Sequence, residues 1–146
     1  MLHAYLGEFF GALLLILLGN GVVANVILPQ TKGHGAGWVA ITLGWGMAVF
    51  VAVWCVKDAS GAHINPAVTL GLAIAGEFPW DQSPGYIAAQ MAGAFAGAVL
   101  AWLTYRDHFQ LCHDPDTIRG AFCNSPAVRN YPLNVFSEAI ATSVLV

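Results

Sequence analysis

The stretch Ser60-Gly61-Ala62-His63-Ile64-Asn65-Pro66-Ala67-Val68-Thr69-Leu70 decides how the rest of the chain is read. Asn65 is a strong helix N-cap, and Pro66 suits the first helical position, where a missing N–H costs nothing. A helix therefore starts here. It stays apolar only over 65–75, before Glu77, Pro79, Trp80, Asp81 and Pro84 return the chain to water. That is about half the length needed to cross roughly 30 Å of hydrocarbon. Ahead of it, Gly61, Ala62 and His63 read as irregular backbone. Such backbone is tolerated at membrane depth only where it is buried in protein or lines an aqueous path. A half-helix that begins inside the bilayer aims the positive end of its dipole at the midplane. That field repels cations and protons and leaves neutral hydroxyl compounds little affected.

Composition supplies the membrane. Hydrophobic residues make up 58% of the 146 and charged residues 9%, against about 25% charged in an ordinary soluble domain. So few charges cannot cover a soluble surface, so lipid is expected to be part of the solvent. Three spans are expected, at 4–28, 38–56 and 85–105. The first carries one charge, Glu8, and the amide of Asn20 in its apolar run; the second carries no charge and ends where Lys57 and Asp58 mark a return to water. Residues 107–133 read as a long extramembrane loop. From 134 the chain turns apolar again and reaches Val146 partway through a fourth span. The N-terminus shows no basic leader or small-residue cleavage site, so the first span is expected to stay as an anchor.

Several function classes fall away. The net charge is −3 and the five basic residues are scattered, which leaves no stripe for nucleic acid. No nucleophile–base pair or metal-ligand spacing appears, so neither an enzyme nor a metal or other cofactor is expected. Cys55 lies in an apolar run and reads as a small buried side chain. Cys112 and Cys123 share the polar loop and are placed to pair if that loop faces an oxidising space. Gly93 and Gly97, with Ala89 a turn earlier, read as a close helix-packing seam, and Gly7 and Gly11 as another.

One internal echo is visible. Gly7-Glu8-Phe9-Phe10-Gly11-Ala12 and Ser137-Glu138-Ala139-Ile140-Ala141-Thr142 each set one glutamate early in an apolar helix. Repeated halves recur in transporters and channels. A carboxylate inside a span is costly and functional by default. Taken alone, Glu8 reads equally as a proton-coupling group or a scaffold.

His63-Ile64-Asn65-Pro66-Ala67-Val68-Thr69-Leu70-Gly71 resembles the first Asn-Pro-Ala motif of the aquaporin and glycerol-facilitator family. Glu8, the half-helix, Gln90-x-x-Gly93-Ala94 and Glu138 extend the likeness over the whole chain. The resemblance implies an all-α membrane fold, an inverted-repeat helical bundle. In it 1–106 is the first repeat, 107–133 the loop and 134–146 the start of the second repeat. It also implies a multi-pass protein of the cell membrane, assembled as a homotetramer, with both termini cytoplasmic. The loop around Arg119 then lies outside. Counting Arg106, Arg119 and Arg129 against Lys57 would place it inside, but long loops report orientation poorly.

The same resemblance implies roles. Asn65, in its motif with Pro66 and Ala67, donates an N–H to a passing oxygen. Gly61, Ala62 and His63 offer backbone carbonyls. Glu8 accepts N–H groups of the half-helix loop, Gln90 supports it, and Glu138 does the same for a second half-helix outside this sequence. Trp45, twenty residues before Asn65, matches the outer constriction, where glycerol facilitators carry tryptophan and water-selective members carry phenylalanine or histidine. The permeants implied are glycerol and water. The alternatives are a water-selective channel, an ion-coupled secondary transporter and a non-transporting membrane protein. The second Asn-Pro-Ala and the arginine that follows it in the family do not occur in these residues, so this chain alone is expected to fall short of a full pore.

Overall fold

The computed structural model describes residues 1–146 and is all-helical. The helices are α1 (Leu2–Ile27), α2 (Gly37–Ser60), α3 (Pro66–Ile74), α4 (Ser83–Thr104), α5 (Arg106–Leu111), α6 (Pro115–Gly120) and α7 (Tyr131–Leu145). Helices α1, α2 and α4, of 26, 24 and 22 residues, are long and apolar enough to cross a membrane. At 1.5 Å per residue they reach about 33 to 39 Å. Helix α3 has nine residues, about 14 Å, roughly half of what a crossing needs.

Helix α1 is the hub, with α2 and α4 packed on different faces of it. Helix α2 turns Ala48, Ala52 and Val56 inward, four residues apart, and all three are buried. Small side chains on one face let two backbones approach closely, which replaces hydrophobic driving force where the surroundings are already apolar. The outward faces carry Met47, Phe50, Trp54, Met91 and Phe95, all exposed. A bilayer accepts such a surface; water does not.

Two details differ from the sequence reading. Helix α2 continues past Val56 through Lys57 and Asp58 to Ser60. The Lys57 ammonium lies 4.0 Å over the Trp54 ring, so the long side chain keeps its charge at the helix end without breaking the helix. Cys55 is exposed rather than buried, because the face that meets α1 is centred on Ala52 between Ala48 and Val56, and Cys55 sits at its margin. Cys112 and Cys123 are both free thiols.

The segment after α4, read from the sequence as a loop over 107–133, carries the short helices α5 and α6 and the start of α7. Phe109 of α5 and Ala121 are buried against Ala24 and Leu28 at the end of α1. The last carbonyls of that region, orphaned by the end of the helix, meet imidazoles: His34 Nδ1 lies 2.8 Å from Leu28 O and His108 Nδ1 3.0 Å from Pro29 O. Asp114 caps α6, and hydrogen bonds from the Thr117 hydroxyl and N–H hold its carboxyl below the usual range. Helix α7, capped by Asn130, is exposed along nearly its whole length, and Val146 at its end packs over Gly71 of α3.

Candidate functional site

The loop between α2 and α3 is built from unusual backbone. Gly61 ends α2 in the left-handed region at φ 82°, with its N–H bonded to Lys57 O. Ala62 and Ile64 also have positive φ, at 56° and 45°. For residues with a Cβ this conformation costs about 1–2 kcal/mol each, so something must hold them.

That holder is Glu8, fully buried on α1. Its Oε1 accepts the His63 N–H at 3.0 Å and the Ser60 hydroxyl at 2.6 Å. Its Oε2 accepts the Ile64 N–H at 2.6 Å and Gln90 Nε2 at 2.6 Å. Four donors therefore converge on one carboxylate at membrane depth, where an unsatisfied charge would be most costly. Ser60 Oγ in turn accepts the Ala62 N–H at 3.1 Å, and Tyr86 of α4 donates its hydroxyl to Ser60 O at 2.9 Å.

Thr69, also fully buried, is the second node. Its hydroxyl donates to Asn65 O at 3.2 Å and accepts from Gln90 Nε2 at 2.9 Å. The same hydroxyl lies 3.1 Å from His63 Nδ1. The His63 ring is held there and walled by Phe78 and Tyr86 at centroid distances of 4.6 and 4.9 Å. These contacts give the side chain a packing role. Gln90 Oε1 is buried without a protein partner.

The result is a row of backbone acceptors. The carbonyls of Gly61, Ala62 and His63 accept no hydrogen bond within the chain. Next to them Asn65 caps α3 in extended conformation, its Oδ1 accepting the Ala67 N–H at 2.8 Å, with Pro66 at the first helical position. The cap uses only the oxygen, so the Asn65 NH2 is fixed in direction and left free to donate.

Trp45 lies on α2 apart from this loop, and the cavity it borders is not lined by Gly61 to Asn65. It is half-buried, and its indole lies against Gly19 of α1. It lines an open cleft of about 660 Å³ together with Asn20, Ile16, Thr42 and Phe122. Glu138, on exposed α7, has no hydrogen-bond partner in this chain.

Sequence reasoning missed Ser60, Thr69, Phe78 and Tyr86. Thr69 carried a signal, being four residues after Asn65 and so above it on one helix face. Ser60 carried another, as a hydroxyl beside the helix-ending glycine. Tyr86 and Phe78 carried none, because apolar helix ends are rich in aromatics.

The family model for the major intrinsic protein matches residues 1–146. A protein of Thermotoga maritima described as a probable glycerol uptake facilitator is 55% identical over 144 residues, covering 99% of this chain and 62% of its own length. A glycerol uptake facilitator of Streptococcus pneumoniae is 47% identical over 146 residues, covering 100% of this chain and 62% of its own length. The chain therefore spans about three-fifths of these relatives. The X-ray structure of the aquaglyceroporin from Plasmodium falciparum superposes with a TM-score of 0.72 at 35% identity, over 78% of this chain and 46% of that one.

Proposed function

The chain belongs to the major intrinsic protein family of multi-pass membrane proteins, and on that footing we propose that the protein is a passive channel for glycerol and water. The observation that carries the reading is the run of uncommitted carbonyls at Gly61, Ala62 and His63, followed closely in the chain by the free Asn65 amide. A neutral hydroxyl compound both donates and accepts, so it exchanges water for these groups at little cost. A cation also meets the positive end of α3.

Trp45 favours glycerol over a purely water-selective channel. Its indole offers a flat apolar wall for the carbon side of a polyol. Ion coupling is disfavoured by Glu8. All four of its close contacts donate to it, two of them backbone N–H groups that can only donate, so the carboxylate acts as a structural acceptor rather than a moving proton carrier. A second half-helix, held by Glu138, completes the pore in this reading, and the subunits assemble as homotetramers with the loop around Arg119 outside.

The test is stopped-flow uptake by proteoliposomes. Glycerol should enter down its gradient at a rate indifferent to sodium or proton gradients; accumulation against a glycerol gradient driven by either ion overturns the proposal. Asn65→Asp keeps the cap acceptor and removes the free N–H donor. It should fold normally and lose about five-fold in glycerol flux, the equivalent of one hydrogen bond.

A second expected result concerns Gly19. A Cβ there would collide with the Trp45 six-membered ring. Gly19→Ala should push the indole into the cleft, lowering glycerol flux more than water flux. Equal glycerol and water losses would show that the indole does not border the solute path.

A further inference from the structure

Asn20 is the buried polar residue of α1 that the site above leaves without a task. It is only 7% exposed. Its side-chain amide has no hydrogen-bond partner in the chain, yet its polar atoms are not sealed off. They open into the cleft that Trp45 lines. Ile16 and Val23, one turn to either side on the same helix face, line the same cleft and make this wall otherwise apolar. Thr42, also on the cleft, has its hydroxyl engaged with Val39 O at 3.1 Å. Asn20 is therefore an uncommitted buried polar group facing an aromatic-walled space.

Buried amides are rarely left unpaired, since an orphaned group costs about 1–3 kcal/mol. An amide offers a donor and an acceptor at one place. The molecule that satisfies it here has hydroxyl groups on one side and carbon on the other, because the indole supplies only an apolar face. An ion is a poor fit, as no charged side chain lines the cleft.

We propose that Asn20 is a specificity-determining residue, hydrogen-bonding the hydroxyls of a small neutral polyol as it passes Trp45. The proposal rests on the channel reading above. It adds a contact on α1, supplied by a side chain, to those made by the loop backbone.

The experiment compares glycerol and water permeability of the intact protein in proteoliposomes for the wild type, Asn20→Leu and Asn20→Ser, with thermal stability measured alongside. Asn20→Leu keeps the volume and removes the amide. Glycerol flux should fall about five-fold, with water flux changed less than about two-fold, and Asn20→Ser should recover much of the glycerol flux through its hydroxyl. If the leucine variant does not fold, the comparison of wild type with Asn20→Ser and Asn20→Ala decides, by the glycerol-to-water ratio. An unchanged ratio in folded variants overturns the proposal. So does a loss of stability with both fluxes falling together, which would assign the amide to a protein partner. A wild-type protein that passes no glycerol defeats the channel reading itself, and this inference with it.

Discussion

Glu8→Ala is expected to destroy the site. The substitution removes the acceptor for the His63 and Ile64 N–H groups, the Ser60 hydroxyl and the Gln90 amide together. Each buried donor left unpaired costs about 1–3 kcal/mol. Even allowing for relaxation, the loss is on the order of 4 kcal/mol or more, a large share of the 5–15 kcal/mol that holds a typical fold together. The positive-φ residues Ala62 and Ile64 would then relax toward ordinary backbone and turn the carbonyl row away. Glycerol flux per reconstituted protein should drop more than about ten-fold, a loss worth about 1.4 kcal/mol or more, and the melting temperature in detergent should fall sharply. Glu8→Gln is nearly as harmful for a different reason: whichever oxygen becomes the NH2, it meets a backbone N–H, of His63 or of Ile64, that can only donate. A Glu8→Ala protein with normal melting temperature and normal flux would show that the loop holds itself, and would remove Glu8 from the account.

The contrast between what was legible in the sequence and what was not follows from distance along the chain. The half-helix was readable because its signals are local: Asn65 caps through Ala67, two residues on, and Pro66 lies between them. The three long apolar helices were readable for the same reason, with ends shifted by a few residues where Lys57 snorkels over Trp54. The network that holds the loop was not readable from pattern. Gln90 meets Glu8 across 82 residues and Thr69 across 21, and no periodicity encodes such pairings. The roles of Glu8 and Gln90 entered through family resemblance; Tyr86 and Ser60, outside the motif, entered only with the structure. Cys55 shows the converse error. An apolar run says that a residue avoids water, but in a bilayer that does not say it is buried in protein.

The α1–α4 seam carries the other large expected effect. A Cβ on Gly93 would sit inside the Phe9 carbonyl oxygen and 2.8 Å from the Phe9 carbonyl carbon. These are backbone atoms of a helix, which have no rotamer to change, so the helices must part. Gly97, one turn on, has the same relation to the Leu13 carbonyl, so they cannot simply pivot about that point. Overpacking of this kind costs about 1–3 kcal/mol for a small addition and more for a branched one. The damage also reaches the site. Gln90 lies one turn before Gly93 on the same helix, and its amide reaches Glu8 at 2.6 Å and Thr69 at 2.9 Å. A shift of α4 by a fraction of an ångström breaks bonds this short before it exposes much surface. Gly93→Val should therefore lower glycerol flux, as should Gln90→Ala, which deletes the same bridge, and also lower the melting temperature. Gly46→Ala, where an added Cβ meets nothing within 4 Å, should do neither. If Gly93→Val lowers stability but leaves glycerol flux per folded protein intact, the Gln90 bridge does not position the loop, and Glu8 alone must hold it.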